Sequence, residues 1–162
     1  MLETATELFG NSPRGWGRVQ AICDWVNQHV TFEHEHGRSS KSALAVYHKR
    51  LGVCRDFQHL LVTFCRCLNI PARYATGCLG DTGVPPRPPM DVSAWFEAFL
   101  EGRRWPFDAR HNAPRMGRVL MAVGRDATDV AITTSFGSAR LVQFDVVTDE
   151  ASDRELSMGR SA

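Results

Sequence analysis

Apolar side chains recur at Trp16, Val19, Ile22, Cys23, Val26 and Val30, the three- and four-residue spacing of one helix face. This predicts a helix starting near Ser12-Pro13, where serine can cap and proline can occupy the first turn. A polar stretch from Glu33 to Ser40 interrupts the pattern, and Ala43, Leu44, Val46 and Tyr47 restore it up to Gly52. The strongest repeat follows. After Cys54, apolar residues stand at Phe57, Leu60, Leu61, Phe64 and Leu68. Asn69-Ile70-Pro71 ends that helix, because proline disfavours helical geometry in the residue before it.

The second half changes period. Ala72 to Leu79 alternates between Pro71 and Gly80 and predicts a strand. Four prolines among Pro85, Pro86, Pro88 and Pro89 make positions 83–89 an irregular loop, since proline removes backbone donors and fixes φ. Val92 to Leu100 and Arg104 to Asp108 read as a hairpin around Glu101-Gly102, with Ser93, Trp95, Glu97 and Phe99 on one face. Further strands are expected at Arg118 to Val123 and Ala139 to Val147. Helices first and an antiparallel sheet afterwards is the pattern of an α+β domain. Residues 1–150 form one domain in this reading, and the polar tail 151–162 is expected to fray. No internal repeat is visible.

Composition narrows the function classes. The 162 residues, 43% of them hydrophobic, suffice for one domain with a substantial core. Nineteen basic and 18 acidic residues are interspersed, giving a net charge of +1 and no basic tract, which argues against a nucleic-acid partner. The apolar stretches are shorter than a membrane span, and the N-terminus lacks a signal-peptide pattern. Five cysteines (Cys23, Cys54, Cys65, Cys67 and Cys78) without a regular framework fit a reducing, cytoplasmic compartment.

The candidate chemistry centres on Cys54. A thiol at a helix start lies at the positive end of the macrodipole, and Arg55 adds a formal charge. Both draw the thiol below its free value of about 8.5. The competing reading is a buried structural cysteine, since Cys54 shares the apolar face with Phe57 and Leu61. Asp56 suits the first helical turn on dipole grounds and partly offsets Arg55. His29, His34 and His36 lack the paired cysteines or second histidine pair of a zinc site, so no metal is expected. Cys65 and Cys67 diverge by about 200° on a helix, which suits packing rather than a redox pair. His59 is about 140° around the helix from Cys54 and points away from it. Arg73, Arg110 and Arg125 are read as salt-bridge partners.

The ordered segments G-V-C-R-D-F (52–57), N-I-P-A-R-Y (69–74), M-D-V-S-A-W-F-E-A-F (90–99) and W-P-F-D-A-R-H-N (105–112) resemble the bacterial transglutaminase-like proteins, relatives of the papain-type cysteine proteases. The resemblance runs from about Trp16 to Asp149. It implies a transglutaminase-like, papain-like core with the nucleophilic cysteine at the N-terminus of the central helix. A histidine on the following sheet serves as base in that family, and an aspartate on the next strand orients it. Carried over, Cys54 takes the nucleophile position, Asp108 the aspartate position, and the histidine position, immediately before Ala94-Trp95, is Ser93. His111, three residues beyond Asp108, is the candidate surrogate base.

Serine is no general base near neutral pH, and such help typically contributes about 10²–10⁴-fold in rate. Cysteine tolerates the loss better than a hydroxyl nucleophile, because a few per cent is thiolate unaided. Two functions follow from the resemblance. One is a cysteine-dependent amidase or peptidase acting on a peptide or protein amide through a Cys54 acyl-thioester. The other is a weak or inert domain that keeps the cleft as a peptide- or partner-binding surface. Neither calls for a cofactor, and no oligomeric state is implied. Family members often carry a β-rich region before the catalytic domain, so the opening on a short helical segment reads either as a fragment or as a single-domain form.

Overall fold

The computed structural model describes residues 1–33, 41–80 and 92–148. Its elements run α1 (Leu2–Phe9), α2 (Trp16–His29), β1 (Thr31–Phe32), α3 (Ala43–Lys49), β2 (Leu51–Gly52), α4 (Cys54–Cys67), β3 (Ala72–Leu79), β4 (Val92–Leu100), β5 (Arg103–Phe107) and β6 (Arg118–Gly124). The helical first half and antiparallel second half make the α+β architecture that the pattern predicted.

Helix α4 occupies the centre. Phe57, Leu60, Leu61, Phe64 and Cys65 on its apolar face are all buried, against α1, α2 and α3 on one side and β3 and β4 on the other. Each large apolar side chain so buried contributes about 1.5–3 kcal/mol. Phe64 meets Phe9 edge-on at 5.3 Å between ring centroids, and Trp25 edge-on at 5.7 Å. The helix ends where expected: Asn69 adopts φ 56°, and the Ile70 N–H donates to the Cys65 carbonyl at 2.9 Å.

Four strands form one antiparallel sheet in the order β5-β4-β3-β6. The β4–β5 hairpin turns through Glu101 and Gly102 at φ 53° and 84°, the positive pair that a two-residue turn of matching twist requires. β3 pairs with β4 in unbroken register, Gly77 opposite Ser93, and the Arg73–Glu97 salt bridge at 2.7 Å crosses this pair. Its pairing with β6 slips by one residue between Thr76 and Gly77, a β-bulge. Gly77 has no room for a side chain, since a Cβ there would lie 2.0 Å from the Val119 carbonyl oxygen.

Three expectations need correction. α2 begins at Trp16, capped by Gly15 at φ 72°, rather than near Ser12-Pro13. The Arg18 guanidinium donates to the Gly10 and Ser12 carbonyls at 2.8 Å each and holds that stretch as a turn. Residues 139–147 form no strand; Leu141, Val142 and Val147 are all largely exposed, and no ladder partner stands beside them among the described residues. Arg110 makes no salt bridge among the described residues; its guanidinium lies 3.7 Å from the Phe32 ring centroid instead. The proline loop at 83–89, His34, His36 and the tail 151–162 fall outside the described residues. Among the described residues no helix is long and apolar enough to cross a membrane.

Candidate active site

Cys54 is the first residue of α4, and its position is set by what surrounds Asp56. Val53 precedes the helix and has no side-chain acceptor, so only the return half of a capping box forms: the Val53 N–H donates to Asp56 Oδ2 at 3.2 Å. Asp56 is fully buried. Lys41 Nζ lies 3.3 Å from Oδ2, and Arg55 donates to Oδ1 at 2.8 Å. The Arg55 charge expected to act on the thiol is therefore directed to its neighbour. Gly52 admits the arrangement, since a Cβ there would sit 2.7 Å from the Asp56 Cβ.

The Cys54 thiol is half-buried and reaches β4 at its first residue, donating weakly to the Val92 carbonyl at 4.0 Å. Position 93 is thus next to the point of contact. Cys54 and Ser93 line one cavity of about 470 Å³, together with Tyr74 and Thr76 of β3. Arg55, Val92 and Ala94 also line it, and a further wall comes from 127–133, where Thr128, Val130 and Ile132 follow β6. Ser93 is 5% exposed, and its Oγ has no hydrogen-bond partner among the described residues. Thr76 donates to the Ser93 carbonyl at 3.2 Å and fixes the backbone there.

Asp108 lies beyond the end of β5 and borders a second cavity of about 290 Å³ with Trp16, Cys23, Trp105 and Arg118. Its carboxylate is held by three donors. Gln58 Nε2 donates to Oδ1 at 3.0 Å, the Arg110 N–H to Oδ1 at 2.9 Å, and His111 Nδ1 to Oδ2 at 2.7 Å. Burial alone pushes this carboxyl up. The His111 hydrogen bond and charge, the Arg110 N–H and the Arg118 charge outweigh it and leave the group below the usual carboxylate range. The arrangement is anchored to α2, where Asn27 donates to the Ala109 carbonyl at 2.7 Å and Asn112 to Asp24 at 2.8 Å.

The four candidates therefore fall into two groups. Cys54 and Ser93 share one cavity, Asp108 and His111 form a hydrogen-bonded pair, and neither member of that pair lines the Cys54 cavity. Gln58, one turn beyond Cys54, links the groups through α4. Sequence reasoning passed over Gln58, although a polar residue amid a buried helical stripe was the available signal. It also passed over Tyr74 and the 127–133 wall, which only the tertiary fold brings to Cys54. His29 is stacked on Trp25 at 4.2 Å and bonds the Trp25 carbonyl. Cys23 and Cys65 are buried, and burial pushes both thiols up, Cys65 to about 12.

Comparison with known proteins adds to this geometry. The family model of the transglutaminase-like superfamily matches residues 3–109. An uncharacterized protein of Mycobacterium leprae (strain TN) is 34% identical over 136 residues, covering 81% of this chain and 48% of its own length. The crystal structure of a "Putative Cysteine Protease" from Cytophaga hutchinsonii superposes with a TM-score of 0.81 at 36% identity, over 93% of this chain and 52% of that one. A "putative protease" from Parabacteroides distasonis shares the fold at 15% identity and a TM-score of 0.50, over 67% of this chain and 22% of that one. The chain spans about half the length of the mycobacterial and Cytophaga proteins.

Proposed function

Because this chain belongs to the transglutaminase-like superfamily, we propose that it is a cysteine-dependent amidase or peptidase in which Cys54 is the nucleophile. The observation that carries this reading is the half-buried Cys54 thiol at the first turn of α4, facing a cavity large enough for a peptide segment. The helix N-terminus favours the thiolate, and the open cavity admits a carbonyl to it.

In the proposed reaction the thiolate attacks the amide carbon. The S–C bond forms and the carbonyl π pair moves to oxygen. Return of that pair breaks the C–N bond, and the leaving nitrogen takes a proton from a cavity water. A second water then hydrolyses the acyl-thioester. Ser93 cannot act as the base of the usual triad, but its partnerless hydroxyl can hydrogen-bond the proton-donating water. Asp108 and His111 serve as a structural pair that holds the β5 end against α4 through Gln58.

A second reading has a specific observation in its favour. With serine in the histidine position and the Asp108 carboxylate engaged by Gln58, Arg110 and His111, the family's base and its orienting carboxylate are not paired here, which suits a cleft that binds peptides without cleaving them. Incubation with p-nitrophenyl acetate, followed by acid quench and intact-mass analysis, separates the two. The amidase reading expects an acetyl adduct on Cys54, absent in Cys54→Ala, and release of 4-nitroaniline from a peptide anilide library. It also expects Ser93→His to raise anilide turnover by about 10²-fold or more. No adduct at Cys54, or anilide release that survives Cys54→Ala, would overturn it.

A further inference from the structure

An amide addition at Cys54 places a full negative charge on the former carbonyl oxygen, and that charge must meet a donor. Among the side chains around the cavity, few are available. Arg55 is turned onto Asp56, and Thr76 donates to the Ser93 carbonyl. Tyr74 differs. It is 4% exposed, packs with Ala94 and Val130 in the cluster that receives Cys54, and lines the same cavity. Its hydroxyl makes no hydrogen bond among the described residues, and the residue forms part of the wall that Cys54 and Ser93 share. A phenol held by packing in the wall of the cavity that holds the thiol is a preorganised donor.

We infer that Tyr74 is a catalytic residue of this site, its phenolic O–H donating a hydrogen bond to the oxyanion that forms when Cys54 adds to a carbonyl. The inference rests on the amidase reading for the identity of the nucleophile. Burial, reinforced by the charge of a Cys54 thiolate, pushes the phenol well above its ordinary range, so the proton stays on Tyr74 throughout the working pH range. Such a phenol is a hydrogen-bond donor rather than a proton source, and the leaving nitrogen still takes its proton from water. The assignment also bears on Ser93. In this site charge stabilisation comes from β3, whereas the family's base position lies on β4, so the two functions are carried by neighbouring strands.

The test uses an aldehyde, N-acetylglycinal, which adds the Cys54 thiol to form a hemithioacetal with a tetrahedral oxygen. The S–C bond forms, the C=O π bond is lost, and the proton ends on that oxygen. Affinity is read as protection of Cys54 from iodoacetamide, by mass spectrometry with Cys67 and Cys78 as internal references. Iodoacetamide displaces iodide and generates no oxyanion. Tyr74→Phe keeps the packing and removes a hydroxyl that makes no hydrogen bond among the described residues, so it is expected to fold.

The expected result is a loss of about tenfold or more in aldehyde affinity for Tyr74→Phe, with the iodoacetamide rate at Cys54 within about twofold of wild type. Equal protection in both proteins overturns the role of Tyr74 and leaves Cys54 as nucleophile. An iodoacetamide rate that falls in step with aldehyde affinity also overturns it, since the hydroxyl would then act on the thiol or on packing. Absence of aldehyde protection in the wild type overturns both the Tyr74 role and the amidase reading.

Discussion

Replacing Asp56 with alanine should destabilise the protein far more than replacing any surface carboxylate. Asp56 is fully buried and accepts from the Val53 N–H at 3.2 Å, from Arg55 at 2.8 Å, and pairs with Lys41 at 3.3 Å. Removing one member of a buried ion pair costs about 3–5 kcal/mol, because its partner keeps the desolvation cost without the attraction. The cap lost at Val53, about 0.5–2 kcal/mol on its own, overlaps with that figure rather than adding to it. For a chain of 162 residues, each kcal/mol moves Tm by about 2–4 °C, so a fall of about 6–20 °C is expected. Asp56→Asn keeps an acceptor for the Val53 N–H and should cost less. Asp129→Ala, which removes the exposed Arg125 pair, should cost less than about 1 kcal/mol. Urea unfolding followed by fluorescence of the four tryptophans measures all three variants. A loss of 1 kcal/mol or less for Asp56→Ala would refute the view that this carboxylate anchors the start of α4.

Gly77→Ala should cost roughly 1–3 kcal/mol or more and loosen β6, because its Cβ would meet the Val119 carbonyl oxygen at 2.0 Å; hydrogen exchange along 118–124 would report the loosening. Asp108 has a carboxyl pKa lowered by folding, so its stabilisation is complete above the unfolded value of about 3.9 and fades as pH falls through the lower folded value. Asp108→Asn should therefore flatten the fall in the urea midpoint below about pH 4, and an unchanged acid limb would contradict the assignment. In the native protein iodoacetamide should label Cys54 ahead of Cys23 and Cys65, which are sealed in the core and should react only after urea unfolding. Early labelling of Cys65 would mean that α4 opens readily.

Much of the scaffold was legible because it depends on local rules. The Cys54 helix followed from its apolar period and the Pro71 stop, and the β4–β5 hairpin from alternation around Glu101-Gly102. The start of α2 was misplaced because Ser12-Pro13 carries a good local signal that the Arg18 bonds to Gly10 and Ser12 override. The strand expected at 139–147 shows the limit of alternation as a signal. A strand is stabilised by its neighbour, and no sequence pattern shows whether a neighbour is present. The site divides the same way. Cys54 could be placed from its helix, and Gln58 stood out there as a polar residue amid the buried stripe, whereas Tyr74 and the 127–133 wall reach the site by long-range packing that leaves no mark in local spacing.

The three donors to Asp108 have a consequence for how such a site can diverge. All of them come from Gln58, Arg110 and His111, and none from position 93. The three bonds to this carboxylate therefore do not depend on which side chain stands at 93. Drift between a reactive and a silent cleft at 93 then leaves untouched the bonds that tie the β5 end to α4.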